Sequence, residues 1–320
     1  MSLIYLPGNP PPGNLITGYL QSPDDVTLRY MIASPKGPPR ASVIVLQGRG
    51  DFLERYFETF RDLNDRGFVA AGFDWRGQGG SERLDPDPSV ASISDFSLYE
   101  RDLDGFFAML ESQQWPKPWY VLSHSMGGCI MLRALRKQSP FVRAITTSPM
   151  LDVKTGKWPK ALAHGVARFL RLIGLSRRPA PGRPVRRAGP EDFEGNAFTS
   201  DVLRYDRDQR ILASAPQLSI GPISIGWTDA AFRAMNSLRK IKAGKSLACP
   251  TLIVAAGRER ITETEACREF ARRIANVSCV VVDDANHEIL MERDLLRAQF
   301  WAAFDSFITD HAPMRVKASA

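Results

Sequence analysis

Ser125 stands where a hydroxyl could act as a nucleophile. Residues 119–128 read WYVLSHSMGG, an apolar strand pattern that runs into Ser123-His124-Ser125-Met126-Gly127 and then directly into a helical pattern. A serine on such an elbow projects its side chain from a sharp strand-to-helix turn. The residues two before and two after it must be small, because strand and helix crowd together there, and they are Ser123 and Gly127. A serine also needs a base to take its proton, and the chain has four histidines. His124 adjoins the nucleophile and is expected to point elsewhere, since adjacent side chains diverge. His164 lies in a helical pattern and His311 near the carboxyl terminus. His287 follows an apolar run at 277–283 across a short Asp-Ala-Asn turn, which makes it the candidate base. Other chemistries lack their residues. No His, Cys, Asp or Glu cluster has metal-ligand spacing. Gly77-Gln78-Gly79-Gly80 is not closed by the Lys-Ser/Thr pair of a phosphate-binding loop. No cofactor is implied.

These residues need a frame. From about residue 42, short apolar runs at 41–46, 68–74, 119–122, 142–147, 251–256 and 277–283 alternate with helical patterns at 56–66, 95–111, 127–137 and 263–274. Runs so short and continuous suit strands buried on both faces. Alternation with helices predicts an α/β doubly wound, mostly parallel sheet. The rhythm breaks over 149–246, which contains the Pro- and Arg-rich SRRPAPGRPVRRAGP, and resumes at Thr251. The reading is a core of residues 1–148 and 247–320 with an inserted helical cap at 149–246. Within the cap, residues 160–175 carry Leu162, Val166, Phe169, Leu170 and Ile173 on one helical face, with Arg168 and Arg171 off it. The expectation is an apolar face packed on the core and a basic face in water. The competing reading is a lid that touches a membrane surface.

The chain has 320 residues with a net charge of +7. That length suits one enzyme domain with an insertion, and the charge favours anionic partners without choosing among them. The cap's Arg177, Arg178, Arg183, Arg186 and Arg187 lack interleaved aromatics, so nucleic acid is not an expected partner. No stretch approaches the apolar length of a membrane span. The amino terminus does not read as a signal peptide, and four cysteines without a C-x-x-C pair read as reduced. The expected location is cytoplasmic, with peripheral contact to the inner face of an anionic membrane through the basic cap.

The chain resembles the α/β hydrolases of the lysophospholipase and monoacylglycerol lipase group. HSMGG at 124–128 is similar to that group's elbow, and FDWRGQGGS at 73–81 to its D-x-R-G-x-G-x-S loop. QGRGDFLERY at 47–56 is similar to its H-G-x-G…Y oxyanion segment, and ANHEILME at 285–292 to its histidine segment. The resemblance implies an α/β-hydrolase fold with nucleophile, acid and histidine in that chain order, which puts the base at His287. After the run at 251–257, Glu259 stands where the group usually has Asp, and Glu is a known substitute in that role. Asp283 and Asp284 lie too close to His287 in sequence for the usual arrangement. The oxyanion donors implied are the backbone N–H groups of Met126 and Arg49. Gln47 replaces the group's usual His and is expected to brace its loop by hydrogen bonding. Asp74, Arg76, Gly77 and Gly79 are read as structural.

The resemblance implies a serine hydrolase acting on lipid-type carboxylic esters, foremost a lysophospholipase. A monoacylglycerol lipase or general carboxylesterase is the alternative. From another class comes a non-catalytic membrane- or ligand-binding member of the fold, in which Ser123, Gln47 and Glu259 mark a decayed site. Epoxide and haloalkane hydrolases need Asp at the elbow. Proline iminopeptidases carry Trp after the nucleophile, where this chain has Met126.

Overall fold

The computed structural model describes residues 2–181 and 191–309, so Arg183, Arg186, Arg187 and His311 lie outside the described residues. The apolar runs become strands because they have no polar face to offer water. The order is β1 (Leu15–Gln21), β2 (Thr27–Ala33), β3 (Ala41–Leu46), α1 (Phe57–Asp65), β4 (Phe68–Phe73), α2 (Ser97–Ser112), β5 (Trp119–His124), α3 (Ser125–Ala134) and β6 (Phe141–Thr147). Three helices follow, α4 (Lys160–Leu172), α5 (Val202–Ser214) and α6 (Ile225–Arg239). The chain ends with β7 (Thr251–Ala256), α7 (Thr264–Arg273), β8 (Val277–Val282) and α8 (Asp294–Thr309). All six residues of each of β3, β4, β5 and β7 are buried.

One sheet of eight strands results, in the order β1-β2-β4-β3-β5-β6-β7-β8. Pairing is parallel from β4 through β8. β1 and β2 form an antiparallel hairpin whose second strand pairs antiparallel with β4. The alternation that begins near residue 42 does not reveal this hairpin. β1 is an edge strand with a single buried residue, Leu20, so it lacks the continuous apolar run that marks the central strands. α1 and α8 pack on one face of the sheet with Phe57, Phe60, Phe300 and Phe304. α2, α3 and α7 cover the other, where α6 adds a further layer against α3. This is the α/β-hydrolase fold.

The loop after β4 is a tie. Asp74 accepts from Arg29 Nε at 2.8 Å, from the Gly80 amide at 2.7 Å and from the Leu53 amide at 2.9 Å. Arg76 bonds Asp102 and Asp24. Each carboxylate joins segments more than twenty residues apart, which fixes the strand end beside the elbow.

The helix α4 departs from its expected orientation. The structure turns Ala163 and Ala167 toward the protein and leaves Leu162, Phe169, Leu172 and Ile173 exposed. Arg171, expected in water, reaches inward to the buried carboxylate of Asp229 on α6 at 2.8 Å. Two causes act together. The alanines allow α4 and α6 to approach closely, and a buried carboxylate draws a guanidinium to compensate its charge.

Candidate active site

The elbow forms because β5 ends in a turn that only a strained residue can make. Ser125 has φ of +49°, a conformation that is uncommon for a non-glycine residue and concentrates at functional sites. Gly127 allows the helix to start so close to the sheet. A Cβ there would stand 2.4 Å from the Gln47 carbonyl oxygen and 2.6 Å from that of Leu46.

The structure brings together Ser125, His287 and Glu259. His287 Nε2 lies 3.0 Å from Ser125 Oγ, and its Nδ1 lies 2.7 Å from Glu259 Oε2. An ionised carboxylate only accepts, so Nδ1 carries the proton and Nε2 is left to accept from the serine. Glu259 and His287 are both buried. The longer Glu side chain reaches because its carboxylate is folded back onto its own loop. Oε1 accepts from the amides of Ile261 and Thr262 at 2.7 and 3.1 Å, and Oε2 from Thr262 Oγ1 at 2.9 Å. Burial pushes its pKa up, but the His287 hydrogen bond and charge, with those two amides, bring it down to about 2. Neighbouring side chains go elsewhere: Arg258 pairs with Asp284 at 2.6 Å, and Arg260 donates to the Asn196 carbonyl at 3.1 Å. The histidine loop is pinned on both sides, by Asn286 N–H to Glu292 at 2.7 Å and Glu288 N–H to the Phe198 carbonyl at 2.8 Å.

Met126 lies in the first turn of α3, where backbone N–H groups have no intrahelical acceptor. Across from it, the two amides flanking Arg49 are both held: Gly48 N–H by Asp51 Oδ2 at 2.8 Å and Gly50 N–H by Gln78 Oε1 at 2.9 Å. Asp51 also accepts from Tyr56 Oη at 2.9 Å and pairs with Arg55. Burial opposes the Asp51 charge, yet Arg55, Tyr56 and the Gly48 amide keep its carboxyl below the ordinary range. Asp51 and Gln78 were not singled out from the sequence. An acid three residues after the loop's first glycine was the available signal for Asp51. Gln78 is remote in sequence and had none.

Two expectations are corrected. The Gln47 side chain is buried with neither amide atom hydrogen-bonded among the described residues, so Asp51 and Gln78 brace the loop instead, and Trp75 Nε1 donates to the Gln47 carbonyl at 2.9 Å. His124 does not point away: its ring lies 4.8 Å from that of His287. The turn at Ser125 is so sharp that strand alternation no longer separates the two side chains. His124 Nδ1 lies 3.0 Å from Thr147 Oγ1, and burial, reinforced by His287, pushes its pKa down to about 3. It therefore stays neutral beside His287. His164 sits in α4, 3.5 Å from Asp229 and away from the elbow.

Ser125 and His287 open on a cavity of about 630 Å³, roofed by α4 and α6 and lined by Met150, Trp158, Val166, Trp227, Phe232 and Met235. Among the described residues no group of three or more His, Cys, Asp or Glu is placed to hold a metal ion. The arrangement can deprotonate a serine hydroxyl next to an apolar cavity.

Known proteins are similar to this chain in sequence and fold. Lysophospholipase L2 of Escherichia coli K12 is 28% identical over 300 residues, covering 90% of this chain and 86% of its own length. Human monoglyceride lipase is 30% identical over 172 residues, 53% of this chain and 54% of that protein. The solved structure of a soluble variant of Saccharomyces cerevisiae monoglyceride lipase with a substrate analog superposes with a TM-score of 0.71 at 18% identity, covering 95% of this chain and 99% of that one. A family model described as serine aminopeptidase, S33, matches residues 37–294. With that match spanning most of its length, the chain belongs to the S33 family of α/β hydrolases.

Proposed function

We propose that this protein hydrolyses lipid-type carboxylic esters through an acyl-enzyme on Ser125, with lysophospholipids as the leading substrate class. The observation that carries the reading is the hydrogen-bonded chain from Ser125 through His287 to Glu259 at the floor of a large, mostly apolar cavity. His287 takes the serine proton as Oγ attacks the ester carbonyl carbon, and Glu259 holds the tautomer and stabilises the imidazolium. The tetrahedral oxyanion faces the amides of Met126 and Arg49, and one such donor is worth about 3 kcal/mol of barrier. The intermediate collapses to the acyl-enzyme, and His287 gives its proton to the departing alcohol. Water then attacks the acyl group with His287 again as base, which restores free Ser125 and releases the carboxylic acid.

Lysophospholipase L2 and the monoglyceride lipases as relatives support a lipid ester, and the net charge of +7 suits a phosphate-bearing headgroup. Hydrolysis of monoacylglycerols or simple esters is the same chemistry with a different leaving group. A cytoplasmic place of action belongs to the same reading, supported by four cysteines that stand unpaired. The test is fluorophosphonate labelling with turnover on lysophospholipids, monoacylglycerols and aminoacyl arylamides. Labelling lost in Ser125→Ala and preferential lysophospholipid cleavage are expected. Labelling retained in that variant overturns the mechanism. Binding of lipid by the folded protein with no turnover on any ester would identify a non-catalytic member of the fold.

A further inference from the structure

The turn at 216–222, between α5 and α6, is clasped by loops of the core from two sides. Arg83, in the loop after β4, donates to the Gln217 carbonyl at 2.5 Å and to that of Ser219 at 3.4 Å, while it also holds the carbonyls of Gly77 and Gly79. The Gly221 N–H donates to the Ser89 carbonyl at 2.8 Å. From the other side comes Arg49, in the loop after β3. Its guanidinium donates to the Gly221 and Pro222 carbonyls, each at 3.3 Å, and lies 5.2 Å from the centre of the Trp227 ring on α6. Ile220 packs over the neighbouring Gly50, where an added Cβ would stand 3.5 Å from it.

Arg49 therefore belongs to two structures at once. Its backbone lies between the Gly48 and Gly50 amides, which Asp51 and Gln78 hold, and its own N–H is the second oxyanion donor of the reaction proposed above. Its side chain ends on the cap. A guanidinium that bonds two successive carbonyls and faces an indole restricts the stem behind it. We infer that the Arg49 side chain is a positioning residue, through which the 216–222 turn of the cap sets the aim of the Arg49 N–H. A displaced cap then weakens the oxyanion site without touching Ser125, His287 or Glu259. The other use of a cation in the cavity wall is to attract an anionic headgroup. Geometry favours positioning, because Nη2 is directed at cap carbonyls and the guanidinium face at Trp227. The catalytic consequence rests on the acyl-enzyme reading of Ser125; the link between loop and cap does not.

The experiment compares Arg49→Met, Arg49→Lys and Arg83→Met, and the double Met variant, in the full-length protein. Arg49→Met keeps an apolar stem against Trp227 and loses the carbonyl bonds. It should lower kcat about tenfold or more with KM little changed. The factor should be the same on a neutral short ester and on a lysophospholipid, with an unchanged pH profile. Arg49→Lys, which keeps a donor for the carbonyls, should recover part of the loss. Arg83 does not line the cavity, yet Arg83→Met should lower kcat as well, and the double variant should lose less than the product of the two single losses. Hydrogen exchange in Arg49→Met should quicken together at 47–51 and at 216–222. A loss confined to phosphate-bearing substrates, a raised KM with unchanged kcat, or fully multiplicative losses would overturn the inference. So would faster exchange in the cap turn with the amides at 47–51 unchanged. The exchange measurement needs no turnover, so it judges the link between loop and cap even where absent labelling of Ser125 removes the function proposed above.

Discussion

At the scale of single residues, the site depends on side chains that hold other side chains. Glu259 aligns the imidazole, so Glu259→Gln should lower kcat by roughly 10³–10⁴-fold with KM little changed, measured on a soluble ester. The same residue predicts a pH dependence of stability. Its carboxyl titrates at about 2 in the folded protein against an ordinary 4.5, so between those values the unfolded chain binds more protons. Its stabilisation is therefore full above pH 4.5 and is lost as pH falls toward 2. The Tm difference between the parent and Glu259→Gln should hold steady from pH 7 to pH 5 and shrink below that. A gap that widens with acid would contradict the depressed carboxyl. Asp51 acts on the loop rather than on the base. Asp51→Ala frees the Gly48 amide and leaves Arg49 held only on its Gly50 side, by Gln78, and should cost about 10²-fold in kcat with the protein still folded by circular dichroism.

At the scale of elements, α4 is held to α6 by one buried carboxylate. Asp229 takes Arg171 at 2.8 Å and Arg233 at 3.0 Å, with His164 at 3.5 Å, while few large apolar groups of α4 are buried. Removing that carboxylate leaves Arg171 without it and Arg233 with Asp95 alone, and because both guanidiniums are partly solvated the loss is roughly 1 kcal/mol. Asp229→Ala should therefore loosen α4 selectively, with faster limited proteolysis near Arg168 and Arg171. The sheet should keep its main unfolding transition. Loss of the whole cooperative transition would show that α4 is not a separable unit. This anchor was not legible in the sequence. An amphipathic pattern states that a helix has two faces, but the small Ala163 and Ala167 and the partner carboxylate on α6 decide which face turns inward.

At the scale of the whole molecule, distant segments meet over the end of the parallel strands. Arg55 joins three of them, bonding Asp51 in the loop after β3, Asp208 on α5 at 2.7 Å and Glu288 beside the histidine at 2.5 Å. Arg55→Met would strand buried carboxylates and should cost about 3–5 kcal/mol, read as a lowered Tm together with lost activity. A variant of unchanged Tm would mean the three segments are positioned independently. The central strands and their helices were legible because each apolar run and each helical pattern is a local property of consecutive residues. So was the elbow, whose crowding dictates small neighbours around Ser125. The β1–β2 hairpin was not, since an edge strand open to water carries no continuous apolar run. What only the tertiary structure decided is which remote groups touch: Glu259 against His287, Asp51 and Gln78 on either side of Arg49, and His124 turned toward the site. Such contacts depend on how loops close over the sheet, and spacing along a chain does not encode that closure.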